Sequence, residues 1–187
     1  MKKNELSWNN LTLVPYSDTF FDYIYKCYQN YNSRIFFTND FIIISRNEFW
    51  DYIKQKKDRD FHDFMIIIDN LSGLPIGFTY TYNFNIKNNH VYFSIYLENQ
   101  SEDPIRTVYA GLIFFSYIFK YYPIRKIYCS IFDYNNINCK MLTLSGFKLE
   151  GILKKHRYFN RTYHDMKIYS LFREDFYTLK ERLKNKF

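Results

Sequence analysis

Alanine is almost missing from this 187-residue chain: Ala110 stands alone, against 20 Tyr and 20 Phe. That imbalance, with abundant Lys, Asn and Ile, is the mark of AT-rich coding. Most aromatics are therefore read as core or surface filler and not as a stacking platform for bases, and no nucleic acid is expected as a partner. Cysteine is scarce as well. Cys27, Cys129 and Cys139 are odd in number and widely spaced, which excludes both a disulfide framework and a zinc pattern, so no metal is expected. Long apolar runs are absent: the longest, residues 109–119, is too short to cross a bilayer. Met1-Lys-Lys-Asn-Glu is not followed by an apolar signal core. The expectation is a cytoplasmic protein with no membrane partner. No internal repeat, low-complexity segment or linker breaks the chain, and its length fits one domain, residues 1–187, with a real core.

Charge is present but unevenly placed. Residues 1–119 carry 11 Lys+Arg and 13 Asp+Glu, a net −2, whereas residues 120–187 carry 15 and 6, a net +9. The basic half suits a phosphorylated ligand, an acidic partner or plain solvent.

Periodicity supplies the elements. Leu11–Pro15 alternates as a strand, and Asp18 is placed to cap a helix running to about Tyr31. Arg34 to Ile44 is apolar but aperiodic and reads as a loop over the core, a candidate substrate lid. Ser45-Arg-Asn-Glu48 has the form of a capping box for a helix to about Lys57. Strands follow at Phe64–Asp69, Pro75–Phe84 and Val91–Leu97, an antiparallel meander with turns between. Asp103 and Pro104 open a helix whose apolar stripe is Ile105, Val108, Leu112, Phe115 and Phe119, and which ends before Pro123. A strand at Ile124–Asp133 leads into a short helix capped by Asn135, with Ile137, Met141 and Leu144 inward and Gly146 as its stop. A hairpin about Asn160-Arg161 and a helix from Arg173 to Lys184 with Phe176, Leu179 and Leu183 inward close the chain.

Within this order lies Asn135-x-x-Asn138-x-x-Met141-x-x-Leu144-x-Gly146-Phe147-x-x-Glu150-Gly151. Together with Ile76-Gly77 and Tyr163-His-Asp165, it resembles the GNAT N-acetyltransferase superfamily over about residues 10–175. The branch it looks like acetylates protein N-termini and small amines, ribosomal-protein N-termini included. The resemblance implies an α/β fold of mixed α+β type. Its central sheet would have about seven strands, mostly antiparallel, splayed between the fourth and fifth and flanked by helices. It further implies acetyl-CoA or another acyl-CoA as co-substrate. The acceptor would be a small-molecule amine or a protein N-terminus, attacking the thioester directly. Alternatives are a GNAT-like binding module without catalysis and an acyltransferase that takes its acyl group from an acyl-carrier protein.

The resemblance also assigns roles. The donor would lie against Tyr96 and Leu97 at the end of the fourth strand, Arg106 and Thr107 at the start of the following helix, and Asn135 and Lys140. The stretch Glu102–Ala110, where the family carries a glycine-rich phosphate loop, has no glycine. The position of the tyrosine that often protonates the departing thiolate holds Leu142, and the alternative serine position holds Asn138. Aminolysis needs a proton acceptor and a donor toward the thioester. Glu98 and Asn138 are the catalytic candidates. Asp165 and His164 are the candidates for acceptor binding. His156, Tyr134 and Ser130 lie near the same site by the same reasoning.

Overall fold

In the computed structural model, residues 5–34, 37, 45–99 and 103–184 are described. Among the described residues eight strands form one sheet: β1 (Ser7–Trp8), β2 (Leu11–Pro15), β3 (His62–Asp69), β4 (Pro75–Asn85), β5 (His90–Leu97), β6 (Lys126–Phe132), β7 (Lys148–Phe159) and β8 (Thr162–Phe172). Their order is β1-β2-β3-β4-β5-β6-β8-β7, and only the β5–β6 pairing is parallel. The short first strand raises the expected seven to eight. Helices α1 (Phe21–Gln29), α2 (Tyr31–Arg34) and α3 (Arg46–Arg59) precede β3. Helix α4 (Pro104–Tyr121) joins β5 to β6, α5 (Asn136–Leu144) joins β6 to β7, and α6 (Arg173–Lys184) ends the fold.

Two apolar layers cover the sheet. One holds Leu13, Val91, Phe93 and Ile127 together with Phe115 and Phe119 of α4 and Phe176 of α6. The other holds Ile66, Phe78 and Tyr96 together with Ile24 of α1 and Phe49 of α3. The alternation of strand side chains makes this division, since neighbours in a strand point to opposite faces.

The join between β5 and β6 is short. Only His90, Val91 and Tyr92 pair with Lys126, Ile127 and Tyr128. Beyond them β5 keeps its ladder with β4 as far as Leu97↔Gly77, and β6 keeps its ladder with β8 as far as Phe132↔Met166. Each strand follows its antiparallel neighbour, and sheet twist carries the two apart. Residues 93–97 and 129–132 therefore face a gap with no ladder partner across it.

Local signals account for several helix ends. Ser45 and Glu48 form a reciprocal capping box, with Glu48 N–H donating to Ser45 Oγ at 3.3 Å and Ser45 N–H to Glu48 Oε2 at 2.7 Å. Asn135 Oδ1 accepts from Asn138 N–H at 3.2 Å and starts α5. Gly146, at φ +83°, ends it in the left-handed region, with Phe147 N–H donating to Leu142 O at 3.0 Å.

Other expectations are corrected. Asp18 begins a single 3-10 turn, Asp18–Phe20, and α1 starts only at Phe21 and stops at Gln29. Asp103 occupies the cap position of α4, but its carboxylate makes no cap hydrogen bond. Ile105 and Leu144, assigned to inward stripes, are 46% and 64% exposed. Each sits in a terminal turn that projects past the sheet, where periodicity continues but the core does not. The proposed lid falls largely on residues 35–36 and 38–44, outside the described residues, as does Glu102.

Candidate active site

A cavity of about 420 Å³ opens at the β5–β6 gap. On one side it is walled by Thr107, Val108, Gly111 and Phe115 of α4 and by Asn138, Met141 and Leu142 of α5. Phe93, Ser94 and Ile95 of β5 face Cys129, Ser130 and Ile131 of β6 at its waist. On the other side it is walled by Tyr28 of α1, Tyr52 and Lys56 of α3, Phe61, and Tyr80 and Tyr82 of β4. Side chains from both apolar layers line one space, so the cavity passes through the sheet where the ladder is missing.

Of the residues expected at the site, Thr107, Asn135 and Asn138 line this cavity, and so do Ser130 and Tyr134. Asn135 and Asn138 are buried, and the Asn138 N–H donates to Asn135 Oδ1. The buried Thr107 Oγ1 has no hydrogen-bond partner among the described residues. A buried hydroxyl without a partner is costly, which makes Thr107 a candidate ligand contact.

The remaining expected residues lie elsewhere. Glu98 is exposed beyond the end of β5, where its N–H donates to Ile76 O at 2.8 Å. Tyr96 packs in the α1–α3 layer, its ring 4.9 Å from that of Phe37, and Leu97 is buried in the opposite layer. The Arg106 guanidinium is held by Asp69 at 3.0 Å, and Lys140 is exposed on α5. Asp165 accepts from Lys154 Nζ at 2.8 Å and from Lys155 N–H at 2.9 Å, and the Lys154 bond holds its carboxyl below the usual range. Glu150, which closes the sequence motif, pairs with Lys126 and accepts from Ser170 Oγ at 2.6 Å.

His164 stands behind Tyr134 and is not among the lining residues. Its Nδ1 lies 2.7 Å from Asp133 Oδ1, and its ring meets the Tyr134 ring edge-on at 4.9 Å. Arg157 Nη1 donates to the Tyr134 phenol oxygen at 2.8 Å. Burial pushes the Tyr134 phenol above its ordinary value, while the Arg157 charge pulls it back. A phenol that accepts from arginine keeps its own proton free to give away, and the guanidinium stabilises the phenolate that would remain. Sequence reasoning missed Arg157. It is brought to Tyr134 by the β7–β8 register that sets Arg157 opposite His164, and no local motif announces it.

Cys129 is the cysteine at the cavity waist. Burial pushes its thiol far up, so it stays protonated and a poor nucleophile.

A strand pair that splays around a through-going cavity, with a helix start on one face, is a shape that other proteins share. The family profile described as Acetyltransferase (GNAT) domain matches residues 21–168. The chain belongs to the GNAT acetyltransferase family. Its fold is similar to that of the GNAT spermidine N-acetyltransferase of Vibrio cholerae, solved with CoA and spermine. There the TM-score is 0.80 and the identity 18%, over 90% of this chain and 98% of that one. It is similar as well to a ribosomal L7/L12 alpha-N-protein acetyltransferase solved with CoA, at TM-score 0.76 and 15% identity, over 89% and 96%. A GCN5-related N-acetyltransferase of Brucella melitensis gives 0.75 and 18%, over 94% and 81%. No curated protein matches the chain. Among the described residues, no helix is long and apolar enough to cross a membrane.

Proposed function

We propose that this GNAT domain transfers an acetyl group from acetyl-CoA to a primary amine by direct attack of the amine on the thioester. The observation that carries the reading is the cavity through the sheet. Its lining comes from both faces of the sheet, one for each substrate, meeting at the gap.

The donor fits the α4–α5 mouth. Unpaired strand edges at residues 93–97 and 129–132 can pair with the amides of a pantetheine arm as an added strand would. The free amides of the first turn of α4 suit a pyrophosphate, with Asp103 at the cap position as the one described carboxylate that opposes it there. Thr107 offers its unpartnered hydroxyl there, and Asn135 borders the same space. Arg106 is committed to Asp69, so backbone amides and Thr107 take over the anion-binding role first given to it.

The chemistry then follows from the residues at the waist. The amine nitrogen forms a bond to the thioester carbonyl carbon, and the carbon–sulfur bond breaks. Asn138 donates to the oxygen on which charge develops. Tyr134 gives its proton to the departing sulfur and is left as a phenolate beside Arg157. The proton lost by the amine passes to cavity water, and the phenolate is reprotonated from solvent. Tyr134 thus supplies the acid that the family's tyrosine position, here Leu142, lacks. Cys129 takes no part, because a protonated thiol does not compete with an amine as nucleophile.

Adding CoA is the first test. At a concentration 100 times its Kd, a ligand that binds only the native state adds about 2.7 kcal/mol. For a chain of this size that raises Tm by about 5–10 °C. Thiol release from acetyl-CoA, scored over a panel of primary amines, tests turnover. An unchanged Tm at millimolar CoA overturns the donor assignment.

Thr107→Val refines it. The hydroxyl has no partner to lose, so the unliganded variant should melt at or slightly above the wild-type temperature. Its CoA affinity, measured by isothermal titration, should fall about 2- to 10-fold, the worth of one hydrogen bond. Equal affinities would place the pyrophosphate and arm away from Thr107.

A further inference from the structure

The acceptor half of the cavity has a chemical character of its own. It lies between α1, α3 and β4, and Tyr28, Tyr52, Phe61, Tyr80 and Tyr82 present rings to it. Among the described residues that line the cavity, Asp60 is the sole carboxylate and Lys56 the sole cation. The two pair at 3.0 Å, so the described part of this wall carries no net charge. Lys56 Nζ also sits 5.7 Å from the centre of the Tyr52 ring, which means the protein's own ammonium already rests over the aromatic wall.

Resting on the acetyltransferase reading above, we propose that the acceptor is a monoamine whose short chain ends in an aromatic group, and not a polyamine. The flat group slides among the tyrosine and phenylalanine rings, where apolar surface is buried and ring-on-ring contacts form. The single amine reaches the waist, where it must be neutral to attack. A polyamine would bring further ammonium groups onto this wall. Among the described lining residues it would find one carboxylate already paired and a lysine that repels it. The phenols do not supply the missing negative charge. Burial pushes Tyr82 well above the ordinary tyrosine value, so it stays neutral, and Tyr80 donates its proton to Phe37 O at 3.4 Å. The similar protein of Vibrio cholerae was solved with CoA and spermine, and an aromatic monoamine is an acceptor of another chemical class.

The experiment compares phenethylamine, tyramine, butylamine and spermidine as acceptors at saturating acetyl-CoA, reading thiol release. Phenethylamine and tyramine should exceed spermidine in kcat/KM by about tenfold or more, a difference of one well-placed contact against one repulsion. Butylamine should fall between them. Spermidine equal to or better than the aromatic amines overturns the proposal. Lys56→Glu supplies a second arm, since it changes the wall from neutral to acidic at a partly exposed helical position. The ratio of spermidine to phenethylamine kcat/KM should then rise by about fivefold or more. An unchanged ratio also counts against the proposal. If no amine releases thiol and CoA leaves Tm unchanged, the acetyltransferase reading has failed. Titration calorimetry of phenethylamine against spermidine then decides the inference by itself, and tighter spermidine binding rejects it.

Discussion

Tyr134→Phe is expected to lower kcat by about a hundredfold or more while leaving the affinity for CoA within about threefold. The size is that of a positioned general acid removed from a step that needs one. Affinity is spared because the lost group acts on charge that exists only as sulfur departs. The groups facing the phenol are Arg157, Asp133, His164 and Tyr31. Arg157 is the one that lowers its pKa, so Arg157→Met should raise it further and leave a weaker acid. That variant should lose rate too, though less than Tyr134→Phe, because the proton is still present. Steady-state kinetics on both variants, with CoA titrations alongside, check this. A Phe variant within twofold of wild type in kcat removes Tyr134 from the chemistry.

Gly77→Ala should be the most damaging small substitution in the sheet. Gly77 pairs with Ile67 on one side and Leu97 on the other, in the middle of the molecule. A Cβ there would lie 2.3 Å from Tyr96 O and 2.8 Å from Leu97 Cδ1. The first contact is with backbone, so no rotamer change relieves it and the β4–β5 ladder must shift. Overpacking of this kind costs about 3 kcal/mol, and Tm should drop by about 6–12 °C. Gly151→Ala is the control. Nothing lies within 4 Å of a Cβ at Gly151, and its stability should stay within about 0.5 kcal/mol of wild type. Thermal unfolding of both variants checks the contrast, and similar melting temperatures would refute it. A surviving Gly77→Ala protein should also bind CoA less tightly, since β5 is the strand that would move.

The sequence carried what is decided locally. Ser45-x-x-Glu48 is a complete cap written in four residues, and the helix starts where it says. Asn135 and Gly146 bracket α5 for equally local reasons. The splay was reached through family resemblance, and the pairing that defines it spans His90 to Tyr128, beyond any local pattern. Contacts across the chain escaped the reading. Arg106 looked free to meet a phosphate until the fold brought Asp69 to it. Glu98 looked catalytic from its place at a strand end, yet the cavity draws on Phe93, Ser94 and Ile95, three to five residues earlier. Asp165 reads from the sequence as an acceptor-binding candidate, yet the amide of Lys155 and the ammonium of Lys154 occupy its carboxylate. Tyr134 was in view, but its significance depends on Arg157, which only a hairpin register can deliver.

The short join between β5 and β6 has a mechanical meaning. Five strands lie on one side of it and three on the other, tied across the middle by three residue pairs and by the buried length of α4. The molecule is thus two plates sharing a seam, and the seam is left unstitched at the cavity. A bound donor arm would act as thread there, completing a sheet that the chain itself leaves open. Stiffness would then rise and fall with each catalytic cycle, and release of the product would mean parting the plates again.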